Sequence, residues 1–86
     1  MNKQSDLQRK GHLPAPIRNV AELGNLVEAV RKGQGLTQLD VSGVTGLGNR
    51  FMVDLEKGKQ TIQLQKVFNV LAQLGLEVVI RKKGSP

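Results

Sequence analysis

The chain contains no cysteine, tryptophan or tyrosine and only two phenylalanines among its 86 residues. The absence of cysteine excludes disulfide bonds and thiolate metal sites, and it is compatible with a reducing cytoplasm. The scarcity of aromatic rings disfavours binding to RNA or single-stranded DNA, because unpaired bases are usually recognised by stacking.

Long apolar runs and catalytic constellations are also missing. No run approaches the roughly 18 apolar residues that cross a membrane, and the polar N-terminus does not look like a signal peptide. The sequence has no paired carboxylates in an apolar setting and no nucleophile with an activating partner, and His12, the only histidine, has no potential ligand at suitable spacing. We expect a cytoplasmic protein without membrane contact, catalysis, metal or cofactor.

The net charge of +6 is concentrated at the two ends of the chain. Residues 1–18 have a net charge of +3, residues 19–75 of +1 and residues 76–86 of +2. A basic surplus favours a phosphate polyanion as partner, although solvated termini that keep the protein soluble explain the same charge.

The most informative segment is residues 36–59, which predicts two short helices joined by a tight turn. The helices are predicted over about residues 37–44 and 49–57, and Gly58 is predicted to end the second. Gly46 suits the turn because glycine takes the left-handed conformation at little cost, and Ser42 is small enough for two helices to cross closely. This is the layout of a helix-turn-helix, whose second helix enters the DNA major groove.

Helices are also predicted on either side of this motif. The spacing of Asn19 and Glu22 predicts a capping box at the start of the first helix. Thr61 is predicted to cap the fourth helix and Gly75 to end it. Apolar residues at helical spacing predict the core faces of these two helices, namely Leu23, Leu26, Val27 and Val30 in the first and Leu64, Val67, Phe68, Leu71 and Leu74 in the fourth.

The motif resembles the Xre-type family of bacterial DNA-binding regulators. The match rests on LTQ, a glycine eight residues after the glutamine, inward-facing Met52 and Leu55, and LEKGK. RFMVDLEKGKQT followed by LQKVFNVLAQLGLEVVI narrows it to the HipB-like antitoxin branch, over residues 17–80. Gly48 departs from the pattern, since Ser or Thr is usual there.

The resemblance implies a fold and a set of partners. The fold is mainly α, a small four-helix lambda-repressor-like domain at residues 17–75. Residues 1–16 lie outside the resemblance; they lack a sustained apolar period and contain Gly11, Pro14 and Pro16, so we predict a flexible basic arm there. A C-terminal β-strand, within the dimerisation strand and basic tail at residues 76–86, pairs across a homodimer. The implied function is an antitoxin that neutralises a HipA-like kinase toxin and represses its own operon.

The residues after Gly75 also predict a strand by themselves, because they are apolar and β-branched. A lone strand is not viable, so antiparallel pairing with the same strand of a second copy is the simplest solution. A disordered tail or a fifth helix is the alternative. The residues predicted to make the dimer contact are Leu76, Val78, Val79 and Ile80.

Three side chains of the second motif helix are predicted to read DNA bases. Asn49 and Arg50 lie at its N-terminal end, where they can bond to adenine and guanine. Asp54 either accepts a bond from cytosine or orients Arg50, and we favour the orienting role. An ion pair alone is the alternative for Arg50, and a helix-start hydrogen bond for Asn49. Phe51 either packs in the core, which we favour, or contacts a thymine methyl group.

A second set of polar residues is predicted to contact DNA phosphates. Gln38 begins the first motif helix, where its backbone N–H and side chain can hold a phosphate with help from the helix dipole. The other candidates flank the motif and have ordinary surface residues as their alternative: Thr37, Lys57, Lys59 and Gln60.

The leading hypothesis is therefore a dimeric repressor of a palindromic double-stranded DNA operator, acting as a HipB-like antitoxin. Two alternatives remain. One is a stand-alone Xre-type regulator without a toxin partner. The other is a protein-interaction adaptor whose helix-turn-helix is vestigial.

Overall fold

The computed structural model describes residues 13–84 and has four α-helices within them. Helix α1 spans Val20–Gly33, α2 spans Gln38–Thr45, α3 spans Asn49–Glu56 and α4 spans Leu64–Gln73. Most of the predicted arm, residues 1–16, lies outside the described residues, as do residues 85–86. In the described part of the chain, no helix is both long and apolar enough to cross a membrane.

The N-terminus of α1 forms only half of the predicted capping box. The Asn19 side chain accepts a hydrogen bond of 2.8 Å from the backbone N–H of Glu22, as predicted. The Glu22 carboxylate accepts instead from the backbone N–H of Arg18, at 2.7 Å. The prediction of a reciprocal contact was therefore wrong, because the carboxylate reaches one residue further back along the chain.

The turn between α2 and α3 has the predicted conformation. Gly46 has φ 74°, and its N–H donates to the carbonyl of Ser42 at 3.0 Å. Thr37 caps α2 as predicted, and it forms a capping box with Asp40 that was not predicted from the sequence. Ser42 is buried, as expected of a small residue at a helix crossing.

The core lies between all four helices. Met52 and Leu55 point inward from α3 and are completely buried, which agrees with the helix-turn-helix pattern. Phe51 is partly buried and packs against this core, as favoured from the sequence. The buried members of the cluster are Val27, Val41, Met52, Leu55, Val67, Val70, Leu71 and Leu74.

Helix α4 differs from its prediction at its N-terminal end. Gln63 is the N-cap and makes no side-chain capping bond, so Thr61 does not cap the helix. Leu64 and Phe68 were assigned to the core face, but they are 60% and 40% exposed. The reason is that the apolar residues of α4 cover more than one face of the helix. The face that packs into the core is the one with Val67, Val70 and Leu71.

The predicted helix stops at Gly58 and Gly75 are both confirmed. Gly58 has φ 80° and follows α3, and Gly75 has φ 76° and follows α4. Beyond Gly75, residues 76–82 contain no strand in this single chain. Val78, Val79 and Ile80 expose their side chains to solvent, reaching 93% at Ile80. Leu76, which was also predicted to make the dimer contact, is instead partly buried and packs against the core of its own chain.

Candidate nucleic-acid interface

Helix α1 lies directly against the C-terminal end of α3. A Cβ atom added at Gly24 would overlap the carbonyl oxygens of Leu55 and Glu56. A Cβ at Gly58 would lie 2.7 Å from the Cα of Ala21. These two glycines therefore let α1 approach α3 at backbone distance and set the position of α3.

A buried ion pair joins the same two helices. Arg31 donates from Nε to Glu56 Oε2 at 2.7 Å and from a terminal nitrogen to Oε1 at 2.9 Å. The two side chains are only 7% and 4% exposed. The other terminal nitrogen of Arg31 donates to the carbonyl of Leu36 at 2.7 Å. The hydrogen bonds to Glu56 raise the pKa of the Arg31 guanidinium above its ordinary value, so the guanidinium is held in its charged form.

Gln38 belongs to this network. Its side-chain amide donates to Glu56 Oε1 at 3.0 Å, so the amide is engaged inside the protein while the backbone N–H stands at the start of α2. The contact joins the start of α2, which has the predicted phosphate residues Thr37 and Gln38, to the end of α3, which is followed by the others. Thr37 precedes Gln38 in the chain, and Lys57 follows Glu56.

The N-terminal end of α3 is open. Its N-cap, Gly48, provides no side-chain bond to the helix, and the next two residues, Asn49 and Arg50, are exposed. The side-chain amide oxygen of Asn49 (Oδ1) lies 3.5 Å from the Ser42 hydroxyl. That hydroxyl has one proton and donates it to the backbone carbonyl of Gln38 at 2.8 Å. The Asn49 side chain is therefore available to a ligand.

Arg50 and Asp54 form an ion pair across one turn of α3. Arg50 Nε lies 3.2 Å from Asp54 Oδ1, and the side chains are 84% and 16% exposed. Lys59 Nζ lies 3.6 Å from the other oxygen of the same carboxylate. The geometry is the one expected if Asp54 orients Arg50.

The predicted phosphate residues other than Gln38 are all exposed. The side chains of Lys57 and Gln60 make no hydrogen bond or ion pair with any other described residue. Thr37 accepts from the N–H of Asp40 at 3.0 Å and donates its own N–H to that carboxylate at 2.8 Å. The backbone hydrogen bond from Thr37 lowers the pKa of Asp40, and the threonine side chain adds to the effect.

Arg31, Glu56 and Asp40 were not predicted as functional residues from the sequence. Arg31 and Glu56 lie four residues after the buried residues Val27 and Met52, so each is a charged residue on an apolar helix face. That placement is a signal of a buried pair, because charges in such positions are normally paired. Within residues 13–84, no group of histidine, aspartate or glutamate side chains could hold a metal ion.

Comparison with known proteins identifies the family. No protein-family model matches the chain. The chain is 48% identical over 68 residues to the uncharacterized HTH-type transcriptional regulator y4mF of Sinorhizobium fredii (strain NBRC 101917 / NGR234), and the match covers 79% of this chain and 90% of that protein. This relative is a transcriptional regulator and not an enzyme.

Two solved structures share the fold. They are the HipB-O4 20mer complex and a complex of a HipB variant with an O2 20mer, each with a TM-score of 0.76 and 22% identity. Each match covers 80% of this chain, and 97% and 96% of the two solved chains. The chain therefore belongs to the HTH-type transcriptional regulators, as its Xre-type, HipB-like sequence pattern predicted, and it has the fold of HipB.

Proposed function

We propose that this protein is a DNA-binding transcriptional repressor that works as a homodimer on a palindromic operator. The observation that carries the proposal is the exposure of Arg50, 84% of whose side chain is accessible at the open end of α3. The opposite end of α3 is held by Gly24 and by the Arg31–Glu56 pair. A rigidly anchored helix with a free polar tip is what base reading in the major groove requires.

The side chains at this tip match the edges of base pairs. Arg50 is suited to guanine and Asn49 to adenine, and each bidentate pair is worth about 1–3 kcal/mol of discrimination. The phosphate contacts come from the backbone N–H of Gln38 and from exposed residues on either side of the motif, Thr37, Lys57, Lys59 and Gln60. Such contacts hold the protein in register on the duplex but do not read sequence.

The dimer is proposed to form through the C-terminal segment. Val78, Val79 and Ile80 are 54%, 68% and 93% exposed, and an apolar segment of this kind is stabilised when it pairs with a second copy. A two-fold dimer places the two α3 tips on half-sites about 34 Å apart, which is one turn of DNA.

The antitoxin role deepens this proposal. Its support is the HipB-like sequence pattern together with the shared HipB fold. The toxin would be a HipA-like kinase that the protein neutralises while repressing the common operon. A kinase-like reading frame next to the gene would favour this role, and its absence would favour a stand-alone Xre-type regulator.

An adaptor with a vestigial helix-turn-helix is the remaining alternative, and salt dependence separates it from a DNA-binding protein. A dimer that neutralises about eight phosphates should lose affinity with a log–log slope near −7. An adaptor would show no such slope.

Substitution of Arg50 tests base reading. Wild-type protein is first used to enrich a duplex from a randomised pool, and affinities for that duplex and for single-base variants are then measured by fluorescence anisotropy. Arg50→Ala should reduce discrimination at one base position by about 5- to 150-fold, because the guanine contact is lost. Thermal unfolding should be nearly unchanged.

Arg18→Ala provides the matched control. Arg18 is also an exposed arginine, 71% accessible, and pairs with an acidic residue four positions later, Glu22, at 3.7 Å. Its loss should leave base discrimination unchanged. If Arg50→Ala weakened binding to all duplexes equally, Arg50 would be a phosphate contact and the base-reading role would be refuted.

A further inference from the structure

We propose that Asp54 is a specificity-determining residue, because it binds both Arg50 and Lys59 and so makes contact with nonspecific phosphates less favourable than contact with the correct base. The inference rests on the proposed DNA-binding function. It assigns to Asp54 a role beyond orienting Arg50, namely control of how much positive charge the α3 surface offers to any DNA.

The two oxygens of the Asp54 carboxylate are divided between two cations. Oδ1 lies 3.2 Å from Arg50 Nε, and Oδ2 lies 3.6 Å from Lys59 Nζ. The carboxylate is 16% exposed, so solvent screens these contacts less than it screens a fully exposed pair. Two cations that share one carboxylate present a net charge of about +1 instead of +2.

The backbone keeps Lys59 beside Asp54. At the end of α3 the N–H of Gly58 donates to the carbonyl of Leu55, and the N–H of Lys59 donates to the carbonyl of Asp54, each at 3.0 Å. This pair of bonds is a Schellman motif, and it depends on the left-handed conformation of Gly58. The lysine side chain therefore starts next to the carboxylate that it contacts.

The ion pair with Arg50 leaves the base-reading edge of the guanidinium free. Asp54 faces Nε, which has one of the five N–H groups, so the four on the two terminal nitrogens remain. Those nitrogens can donate to guanine O6 and N7 while the ion pair persists. A phosphate that draws in Arg50 or Lys59 must instead compete with the carboxylate and lie close to its negative charge.

Lys57 shows that this restraint is selective. It lies two residues from Lys59, at the other side of Gly58, and has no acidic partner among the described residues. Lys57 can therefore bind a phosphate without breaking an ion pair. Lys59 and Arg50 can bind one only by weakening or breaking their ion pairs with Asp54. Asp54 therefore restrains the proposed base-reading residue, Arg50, and also Lys59, but not Lys57.

The test compares Asp54→Asn with the wild type on two probes: the duplex enriched by wild-type protein from a randomised pool, and a scrambled duplex of the same length and composition. Affinity for the scrambled duplex should rise about two- to fivefold, the fold-change that corresponds to releasing a partly exposed ion pair. The ratio of the two affinities should fall about tenfold, because Arg50 is no longer oriented toward guanine.

Glu28→Gln is the matched control, since Glu28 is on α1 and pairs with Lys32 four residues later at 3.4 Å. Glu28 also attracts the Arg31 guanidinium, but less strongly than Glu56 does. It removes the same charge and the same type of ion pair, and the affinity ratio should stay constant. If Asp54→Asn and Glu28→Gln changed the ratio alike, or if neither changed it, the inference would be overturned. A wild-type protein that prefers no enriched duplex would refute the proposed function instead.

A second comparison does not require the Asp54 variant to fold. On the scrambled duplex, Lys59→Gln should reduce affinity less than Lys57→Gln does, because Lys59 is already held by Asp54. Equal losses for the two lysine variants would show that Lys59 is not restrained, and they would contradict the inference.

Discussion

Glu56 is the residue on which the geometry of the helix-turn-helix most depends. Its carboxylate receives two hydrogen bonds from Arg31 and one from Gln38, so one side chain joins α1, α2 and α3. Burial of a charged pair is costly, and only a fully bonded pair offsets that cost. The network therefore serves to position α3 more than to stabilise the fold.

Loss of the carboxylate should be strongly destabilising. Glu56→Leu should lower the free energy of unfolding by about 3–5 kcal/mol, because Arg31 would stay buried without its charged partner. Urea denaturation followed by circular dichroism measures the change. Arg31→Met combined with Glu56→Leu should recover much of the loss, since the double variant leaves no buried charge.

Glu28→Leu is the control for this prediction. Glu28 is 31% exposed and pairs with Lys32, and its attraction to Arg31 is weaker than that of Glu56. A partly exposed pair of this kind contributes about 0–1 kcal/mol. Equal destabilisation by Glu28→Leu and Glu56→Leu would mean that the buried network has no special role.

At the level of the helices, α2 and α3 begin differently. Thr37 and Asp40 cap the N-terminus of α2 with two reciprocal hydrogen bonds, whereas α3 begins at Gly48 with no side-chain cap. Gly48 has φ −68°, a conformation that any residue adopts, and a Cβ there would meet no atom within 4 Å. The start of α3 is thus uncapped because glycine has no side chain, and the backbone conformation at residue 48 would allow a capping residue.

A cap at this position should therefore stabilise the protein. Gly48→Ser should raise the free energy of unfolding by about 0.5–1 kcal/mol, through a new bond to the start of α3 and a less flexible unfolded chain. Gly46→Ser is the opposite-sign control, because Gly46 has φ 74° and a Cβ there costs about 1 kcal/mol or more. Thermal melting compares the two, and stabilisation by both substitutions would refute the argument.

At the level of the whole molecule, the C-terminal segment is the part that the single chain leaves uncovered. Leu76 packs against the core, but the residues after it expose their apolar side chains. A chain of this size buries only about 60–65% of the surface of its unfolded form, so burial between two copies adds substantially to stability.

Truncation after Gly75 should therefore weaken dimerisation and, with it, operator affinity. Sedimentation velocity over a range of concentrations measures the shift toward monomer. Truncation after Arg81 is the control, because it removes basic residues but keeps the apolar segment, and it should leave the dimer intact. An unchanged dimer after truncation at Gly75 would contradict pairing through residues 76–80.

The sequence by itself determined the four helices, the turn at Gly46 and the stops at Gly58 and Gly75. These features depend on residues within a few positions of one another, and such local preferences are legible in a single chain. The inward positions of Met52 and Leu55 also followed from helical spacing. The exposure of Asn49 and Arg50 agrees with the pattern, while their contacts with bases stay a prediction.

Only the tertiary structure decided which partners the polar residues have. The Glu22 carboxylate bonds to the N–H of Arg18, and Arg31 pairs with Glu56, 25 residues away in sequence. Tertiary packing also chose between two apolar stripes on α4, which left Leu64 and Phe68 exposed. Each of these outcomes depends on the neighbouring helix, and a helix's own periodicity has no information about which neighbour it will meet.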